Sequence, residues 1–283
     1  MSTRPPDGRH LHWGAESLWL QLEPLLPGLS VEVVARVGST NTHLLERARR
    51  ANDAQPCLLV AEHQTAGRGR LGRDWHASAD ASLTFSLALA LAPREWSGLS
   101  LAVGLALAEA LDPALGPQRI GLKWPNDLWL LDSPGAGRKL GGILIETISL
   151  GDRRLCVVGV GLNVAPQPQS GPSAGAAWLQ ELIPGISAPA ALAAVAEPLV
   201  RGLQAFQRTG FAPLVAGFAR RDLLAHQAVT TTAAGVPGGV AEGVDEHGGL
   251  RVRVRVGTSA GEVLHTLVSG EVSVRLQPHE AAC

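Results

Sequence analysis

The sequence predicts an α+β protein in which a main domain of strands and helices is followed by a small β-barrel. Up to about residue 224, segments with strand-like alternation are interspersed with segments of helical periodicity. Beyond that point no helical stretch remains, and residues 250–256 alternate strictly between an aliphatic residue and arginine, as in a strand with one apolar face. We therefore divide the chain into an N-terminal extension (1–30), a main domain (31–224) and a barrel domain (225–283).

The elements of the main domain are predicted from periodicity and from one capping signal. A short helix is expected over 18–26 and a strand over 31–37. Ser39, Thr40 and Asn41 then offer the side chains that cap helix N-termini, so a helix is expected over 42–50. The remaining elements follow in order: strands at 57–62 and 81–91, a helix at 97–111, strands at 119–124, 127–131, 140–149 and 153–164, and helices at 188–208 and 211–222.

Composition narrows the class of protein. Hydrophobic residues make up 46% of the chain and the net charge is −1, which permits a sizeable core and disfavours bulk electrostatic binding to nucleic acid or membrane. The longest apolar run, at 99–111, is too short to cross a bilayer, and the polar N-terminus has no signal-peptide pattern, so we expect a cytoplasmic protein. Cys57, Cys156 and Cys283 do not suit a disulfide framework, and the first two are expected to be buried thiols.

A basic, glycine-rich loop is the most informative local feature of the sequence. Residues 67–73 read Gly-Arg-Gly-Arg-Leu-Gly-Arg and lie between two predicted strands. Glycine lets backbone N–H groups approach a ligand closely, and arginine presents a planar charged fork that suits carboxylate and phosphate oxygens. The loop therefore predicts an anion site, and a solvated surface loop is the alternative interpretation.

Two common phosphate-binding motifs do not describe this loop. Its glycines have the spacing of the dinucleotide fingerprint, but no helix is predicted to open here and residues 88–94 contain no acidic residue. Its spacing also approaches that of a P-loop, but Arg73 and Asp74 stand where a P-loop needs lysine and then serine or threonine. The predicted anion site is therefore of another kind.

Further segments accompany the basic loop, and together they resemble the motifs of the biotin–protein ligases. Five motifs occur in order and at compatible spacing: Ser-Thr-Asn at 39–41, Gln64 followed by Ala-Gly-Arg-Gly-Arg-Leu-Gly-Arg-Asp-Trp at 66–75, Lys-Trp-Pro-Asn-Asp at 123–127, Lys-Leu-Gly-Gly-Ile-Leu-Ile-Glu at 139–146, and Gly-Val-Gly-Leu-Asn at 159–163. Residues 270–273 also resemble the family's C-terminal signature. The likeness covers about residues 31–276.

This resemblance implies a mixed-sheet catalytic domain of the class II synthetase-like type found in biotin and lipoate ligases, followed by an SH3-like β-barrel. It implies two half-reactions, in which biotin and Mg²⁺·ATP give biotinyl-AMP and pyrophosphate, and a lysine of a biotin carboxyl carrier protein then attacks the mixed anhydride. The implied partner is the carrier of acetyl-CoA carboxylase or of a related carboxylase. Neither DNA nor a membrane is expected as a partner, and a homodimer is compatible with the resemblance.

The resemblance also implies roles for individual residues. The biotin-binding residues would be Ser39, Thr40, Asn41, Gln64, Arg68, Gly69, Arg70 and Lys139. The catalytic residues among them would be Arg68, Arg70 and Lys139, because the first half-reaction brings two anions together and requires fixed cations where charge develops. The nucleotide-binding residues would be Arg70, Trp75, Lys123, Asn126 and Asn163, and Asp127 would bind the metal ion or orient the attacking lysine.

For some of these residues a structural role is the alternative. Lys123 would then be a surface charge, Trp75 and Trp124 core aromatics, and Asn163 a turn cap. The sequence also departs from the family pattern. Leu71 replaces a basic residue, Asp80 stands near a position often held by glycine, and residues 133–137 form an insertion.

Two other functions remain as alternatives at this point. Lipoate or octanoate ligases and transferases have a related fold, but their sites lack the run of glycine and arginine at 67–73. A non-enzymatic biotin-sensing regulator is the second alternative. Only about 30 residues precede the first predicted strand, too few for the helix-turn-helix domain of members that are also repressors.

Overall fold

The computed structural model describes residues 11–78, 81–113, 117–133, 136–167, 175–256, 261–268 and 273–276. The helices are α1 (Ala15–Leu22), α2 (Thr40–Ala51), α3 (Leu99–Leu111), α4 (Ala188–Thr209) and α5 (Val215–Ala219). The strands of the main domain are β1 (Ser30–Val37), β2 (Cys57–Gln64), β3 (Ser82–Ala90), β4 (Ile120–Lys123), β5 (Asp127–Ser133), β6 (Ala136–Leu150) and β7 (Arg153–Asn163). Those of the C-terminal domain are β8 (Ala228–Ala233), β9 (Val236–Val244), β10 (Leu250–Val256), β11 (Gly261–Leu267) and β12 (Val274–Leu276).

The main domain is built on a seven-stranded sheet in the order β1-β2-β3-β7-β6-β5-β4. Strands β1 and β2 are parallel and the other neighbours are antiparallel, so the sheet is mixed, as the resemblance implied. Successive residues of β2 belong to different hydrophobic clusters, because side chains alternate between the two faces of a strand. Leu58 joins the cluster of α3 and α4, and Leu59 joins that of α2, so helices cover both faces of the sheet.

The C-terminal domain is a five-stranded antiparallel sheet in the order β11-β10-β9-β8-β12, consistent with the predicted small barrel. Its inner residues, such as Val229 and Val252, belong to the same hydrophobic cluster as the core of the main domain. Trp124 reinforces this junction, because its fully buried indole donates a hydrogen bond of 3.0 Å from Nε1 to the carbonyl oxygen of Gly248. The two domains therefore share one continuous core.

Helix boundaries differ from the prediction in two places. The helix expected over 18–26 spans residues 15–22 instead, because Gly14, with a φ of 60°, precedes it and the proline-containing segment after Leu22 forms turns. The helix expected over 211–222 is a short 3₁₀ turn, Ala212–Leu214, followed by the five-residue α5. The expected strands and the two long helices are present, with ends that move by a few residues.

The N-terminal extension is not structurally separate from the main domain where the structure describes it. Trp13, Leu18, Leu22 and Leu29 are buried in the main core, and α1 packs against β1 and α4. Of the insertion at residues 133–137, the described residues Ser133 and Ala136 pair with each other between β5 and β6. The expected buried thiols Cys57 and Cys156 are confirmed, whereas Cys283, Asp80 and most of the 270–273 signature lie outside the described residues.

Candidate active site

The sequence motifs converge on one cavity, which the N-terminus of α2, the end of β2, the basic loop and strands β6 and β7 enclose. All predicted site residues line it except Lys123 and Asn163. The lining comprises Ser39, Thr40, Asn41, Gln64, Arg68, Gly69, Arg70, Arg73, Asp74, Trp75, Phe85, Asn126, Asp127, Lys139, Gly142, Ile143, Leu144, Gly159, Val160 and Gly161. The basic loop is therefore part of a cavity wall and not an isolated surface loop.

One end of the cavity is a buried polar cluster at the start of α2. Ser39 is the N-cap, and its side chain accepts a hydrogen bond from the backbone N–H of Thr42 at 3.5 Å. Thr40 donates from its backbone N–H to Oε1 of Gln64 at 2.7 Å, and its hydroxyl lies 3.1 Å from the same oxygen. All three side chains are less than a tenth exposed. Because the polar groups are held in place by one another, this end of the cavity has a fixed set of donors and acceptors.

Both ends of the Asn41 side-chain amide are engaged by the protein. Its Nδ2 donates to the carbonyl oxygen of Leu144 and to Oε2 of Glu146, each at 3.0 Å, which uses both donor hydrogens. Its Oδ1 lies 2.6 Å from Oγ of Ser86. Asn41 therefore shapes the cavity wall through contacts within the protein.

Ser86 is a member of this cluster that the sequence analysis did not identify. It is fully buried on β3, and its hydroxyl lies 2.6 Å from both Oγ1 of Thr40 and Oδ1 of Asn41. A signal for it exists in the sequence, because Ser82, Thr84 and Ser86 recur at every second position of an otherwise apolar strand. Buried hydroxyls need partners, so such a polar face predicts a hydrogen-bonded neighbour.

Two glycines of the Gly-Val-Gly-Leu-Asn motif make room for this wall. A Cβ atom on Gly159 would overlap the side-chain amide of Asn41, and a Cβ on Gly161 would overlap the indole ring of Trp75. The motif therefore provides the space in which a predicted biotin-side residue and a predicted nucleotide-side residue both pack against β7.

The basic loop folds into a narrow turn. The backbone N–H of Gly69 donates to the carbonyl oxygen of Arg73 at 2.7 Å, and that of Trp75 donates to Gly67 at 2.9 Å. A Cβ on Gly67 would overlap the backbone oxygen of Trp75, which explains why this position needs glycine. The turn directs Arg68, Arg70 and Arg73 to the cavity, so three cations line it from one side.

Two arginines of the loop are held in different ways. Arg68 donates from Nη2 to Oε1 of Glu146 at 2.7 Å and from Nη1 to the hydroxyl of Thr42 at 3.0 Å. Nη1 of Arg70 lies 3.4 Å from Oδ1 of Asn126, a longer contact. Burial lowers the pKa of the Arg70 guanidinium below its usual value; Asp127 acts in the opposite direction and Arg73 adds to the lowering. An anion beside Arg70 would relieve both effects.

Lys139 forms an ion pair with Asp127 inside the cavity. The two charged groups are 2.7 Å apart, between Nζ and Oδ1. The backbone of Lys139 is fixed as well, because its N–H donates to Gly175 at 2.8 Å and its carbonyl oxygen accepts from Ala177 at 2.9 Å. Segment 175–177 thus adds a short parallel bridge to β6 at the lysine.

Lys123 and Asn163 lie outside the cavity lining and make structural contacts. Lys123 donates from Nζ to the backbone oxygen of Val274 at 2.7 Å and lies 5.6 Å from the ring centre of Trp129. Burial lowers the pKa of Lys123, against the effect of Asp127. Asn163 donates from Nδ2 to Ala177 at 3.0 Å, so it holds the segment that pairs with Lys139. Lys123 and Lys139 are the only lysines of the sequence.

Trp75 differs from Trp124 in its hydrogen bonding. Trp75 lines the cavity, and among the described residues its buried Nε1 has no hydrogen-bond partner. Trp124 is a core aromatic with a satisfied indole at the domain junction. A buried indole donor without a protein partner is an expected contact for a ligand acceptor.

The carboxylates of the cavity are Asp74 and Asp127. Within the described part of the chain, no group of three or more histidine, cysteine, aspartate or glutamate side chains could hold a metal ion. Carboxylate oxygens suit Mg²⁺, which proteins often bind through one or two carboxylates, so Asp74 and Asp127 are side chains that would fit this ion. Among the described residues, none of the helices has both the length and the apolar character of a bilayer span.

The arrangement suits a ligand that carries both neutral polar groups and an anionic group. The buried side chains of Thr40 and Gln64 line the cavity, with Ser86 behind them, and the cations of Arg68, Arg70 and Lys139 line it as well. Cations fixed where two anions meet are what a transfer between a carboxylate and a phosphate requires.

Comparisons with known proteins identify relatives that cover most of the chain. Residues 33–163 match the Biotin/lipoate A/B protein ligase family. The chain is 38% identical to the biotin–[acetyl-CoA-carboxylase] ligase of Mycobacterium tuberculosis, over 93% of this chain and 97% of that protein. It is 32% identical to the bifunctional ligase/repressor BirA of Escherichia coli, over 88% of this chain and 75% of that protein. The Aquifex aeolicus biotin protein ligase, solved in complex with biotin and ATP, is similar in structure, with a TM-score of 0.70, 28% identity, and coverage of 87% of this chain and 99% of that one.

Proposed function

The chain belongs to the biotin–protein ligase family, and we propose that it attaches biotin to a lysine of a biotin carboxyl carrier protein in an ATP-dependent reaction through biotinyl-AMP. The observation that carries this proposal is the cavity itself. A buried cluster of neutral polar groups adjoins three arginines and a lysine, so one molecule can be bound by its ring and activated at its carboxylate.

The ring end distinguishes biotin from lipoate. The ureido ring of biotin has N–H donors and a carbonyl acceptor, which match the fixed hydroxyls and amides of Ser39, Thr40 and Gln64. A lipoyl dithiolane or an octanoyl chain has no such groups and would form no hydrogen bonds with this polar cluster. The polar cluster therefore favours biotin over the first alternative function.

In the first half-reaction the carboxylate oxygen of biotin forms a bond to the α-phosphorus of ATP, and the bond to the pyrophosphate oxygen breaks. Arg68, Arg70 and Lys139 line the cavity where these charges meet. We assign Arg68 and Lys139 to the carboxylate and α-phosphoryl oxygens, and Arg70 to the phosphates. Fixed cations stabilise the charge that develops in the transition state more than the separate substrates.

The nucleotide is assigned to the side of the cavity formed by Trp75 and Asn126. The Nε1 of Trp75, which has no partner among the described residues, and the amide of Asn126 offer contacts there. Asn163 and Lys123 support this side indirectly. Asn163 donates a hydrogen bond to Ala177 in the segment beside Lys139, and Lys123 donates one to Val274 of β12. Mg²⁺ would arrive with ATP, neutralise phosphate charge and meet Asp127.

In the second half-reaction the amine of the carrier lysine attacks the acyl carbon of biotinyl-AMP, an amide forms and AMP leaves. The amine attacks in its neutral form and releases one proton to solvent as the amide forms. Asp127 is the cavity carboxylate paired with Lys139, and it is placed to orient an incoming amine beside the adenylate. The alternative role of Asp127 is contact with Mg²⁺ in the first half-reaction.

The proposal includes a homodimer and a cytoplasmic location, where ATP is available. Strand β6 is longer than its neighbour β5, and beyond Gly142 it pairs only with β7 among the described strands. The outer edge of residues 144–150 can therefore accept a strand from a second copy. Measurement of the oligomeric state with and without biotin and ATP tests this part of the proposal.

The reaction itself is tested by incubating the protein with biotin, ATP, Mg²⁺ and a biotin carboxyl carrier domain, followed by intact-mass analysis. We expect the carrier to gain the mass of one biotinyl group on one lysine, and pyrophosphate to be released without the carrier. Parallel reactions with lipoate test the ligase alternative. Biotin binding without adenylate formation, together with DNA binding, would support the regulator instead.

A further inference from the structure

Glu146 connects the start of α2 with the basic loop, although no role follows for it from the sequence motifs. It lies on β6, two residues after the lining residue Leu144. Its Oε1 accepts from Arg68 of the basic loop at 2.7 Å, and its Oε2 accepts from Asn41 at the start of α2 at 3.0 Å. One carboxylate therefore holds a residue from each wall.

These contacts extend into a continuous series of hydrogen-bonded side chains. Asn41 reaches Ser86, which lies 2.6 Å from Thr40, and Thr40 reaches Gln64. The series runs from the polar end of the cavity to the first arginine of the loop. Because hydrogen-bonded side chains are coupled, a displacement of Glu146 would change the positions of both Arg68 and the polar cluster at the start of α2.

The chemistry of the pair explains why a carboxylate is needed at this position. The guanidinium of Arg68 and the amide nitrogen of Asn41 both donate, so the group between them must accept on two atoms. A carboxylate does so, whereas a glutamine side chain would present an amide donor to one of the two partners. The side chains of Arg68 and Glu146 are partly exposed, by 47% and 23%, so water does not fully screen the attraction between the two charges. Removing the charge of Glu146 would therefore weaken the hold on Arg68.

Pairing with Glu146 leaves Arg68 able to bind an anion. A guanidinium has five N–H donors, and the contacts with Glu146 and Thr42 use one hydrogen each of Nη2 and Nη1. Arg68 also lines the cavity. The ion pair therefore orients the arginine without consuming its capacity for a substrate carboxylate.

We propose that Glu146 is a positioning residue that fixes Arg68 against the wall formed by Asn41, so that the bound carboxylate and the α-phosphate meet in reacting geometry. This inference rests on the proposed function, because the carboxylate and the phosphate are those of biotin and ATP. Misplacing a group that orients reactants costs up to about 100-fold in rate.

The test compares Glu146→Gln with Glu32→Gln. The control removes a similar ion pair, in which Glu32 of β1 accepts from Arg47 of α2 at 2.7 Å, from outside the cavity lining. Single-turnover adenylate formation and equilibrium biotin binding are measured for both variants and for the unmodified protein. We expect Glu146→Gln to slow adenylate formation by about 10- to 100-fold, with a loss of biotin affinity of only about 3- to 5-fold. Glu32→Gln should keep both values within about 2-fold of the unmodified protein.

A double-mutant cycle separates positioning from general stability. In an Arg68→Gln background, Glu146→Gln should slow the reaction by no more than about 2-fold, because the residue that it positions is gone. Fully additive effects, or a Glu146→Gln variant that reacts as fast as or faster than the unmodified protein, would overturn the proposal. Melting temperatures of all variants confirm that they are folded.

Limited proteolysis provides a readout that does not depend on activity. Without Glu146 the basic loop loses an anchor, so trypsin should cut after Arg68 several-fold faster in Glu146→Gln than in Glu32→Gln. Equal cleavage rates would contradict the anchoring of Arg68 whatever reaction the protein performs. If the unmodified protein formed no adenylate while the loop was still released in Glu146→Gln, the proposed function would be wrong and the anchor would stand.

Discussion

Nζ of Lys139 lies 2.7 Å from Oδ1 of Asp127, and both side chains line the cavity that receives the three arginines of the basic loop. The lysine is therefore positioned by a carboxylate on the adjacent strand β5. Its backbone is held by segment 175–177 on the other side. Position and charge are both fixed, which is what a residue that acts on a transition state requires.

The first prediction concerns Lys139. Lys139→Ala should slow adenylate formation by about 100-fold or more while weakening biotin binding by less than about 10-fold, because a fixed cation acts mainly on developing charge. Single-turnover kinetics and calorimetry measure the two quantities. Arg208→Ala, which removes an exposed cation on α4, is the control. An unchanged single-turnover rate for Lys139→Ala would refute the role.

The second prediction concerns the space that Gly159 provides. Gly159→Ala places a methyl group where the Asn41 amide lies, so Asn41 must move and the polar end of the cavity must change shape. We expect biotin affinity to fall by about 10-fold or more. Gly38→Ala is the matched control, since a Cβ there meets no atom within 4 Å. Equal affinities in the two variants would show that Asn41 does not shape the site.

The third prediction concerns the dependence of stability on pH. Burial raises the pKa of Asp222, which lies between α5 and β8, to about 6, against the lowering effects of the backbone N–H groups of Leu224 and Ala225 and of His226. In the unfolded chain the pKa of this carboxyl is about 3.8. The folded protein therefore binds a proton at this carboxyl more tightly than the unfolded chain does. The free energy of unfolding should consequently fall as the pH rises through this window, by an amount on the order of 3 kcal/mol.

Asp222→Asn should remove that contribution. The difference in unfolding free energy between the variant and the unmodified protein should change between pH 4 and pH 6 and stay constant above about pH 7. Urea denaturation across this range measures it. Asp152→Asn, at the exposed turn between β6 and β7, serves as the control. A difference that does not vary with pH would show that Asp222 is not the responsible group.

The fourth prediction concerns the basic loop when it is loaded. Three arginines that line one cavity repel one another, and a bound anion offsets this repulsion through charge-assisted hydrogen bonds. Trypsin cleavage after Arg68, Arg70 and Arg73 should therefore slow several-fold in the presence of biotin and ATP. Cleavage after Arg220, away from the cavity lining, is the internal reference. If biotin and ATP leave the rate of cleavage in the loop unchanged relative to the rate after Arg220, the prediction is wrong.

Much of the fold could be predicted because its signals are local. The strands are short apolar or alternating runs, and Ser39 marks the start of α2 within two residues. The last predicted helix was wrong in length because periodicity does not register the turn around Pro213. The mixed sheet came from the resemblance, because strand order depends on contacts between segments that are distant in the sequence.

Most residues that the motifs single out line one cavity, but the hydrogen bonds between them could not be predicted from the sequence. Lys123 and Val274 are 151 residues apart, and Arg68 and Glu146 are 78 residues apart, so no spacing rule indicates either contact. Asn163 has the residue type of a ligand contact, yet its amide holds Ala177. Motifs identify which residues meet at a site, whereas the partner of each side chain depends on the packing of the whole domain.

The scarcity of lysine has a consequence for the specificity of labelling. A mixed anhydride of biotin and AMP is an acylating agent, and primary amines are its natural targets. The sequence has only two lysines. Lys139 donates a hydrogen bond to Asp127, and Lys123 donates one to the backbone of Val274. An enzyme built in this way offers its own product few nucleophilic side chains. Prolonged incubation with biotin and ATP should therefore leave the protein itself almost unmodified by mass, whereas an exposed lysine introduced at the rim, as in Arg73→Lys, should become biotinylated.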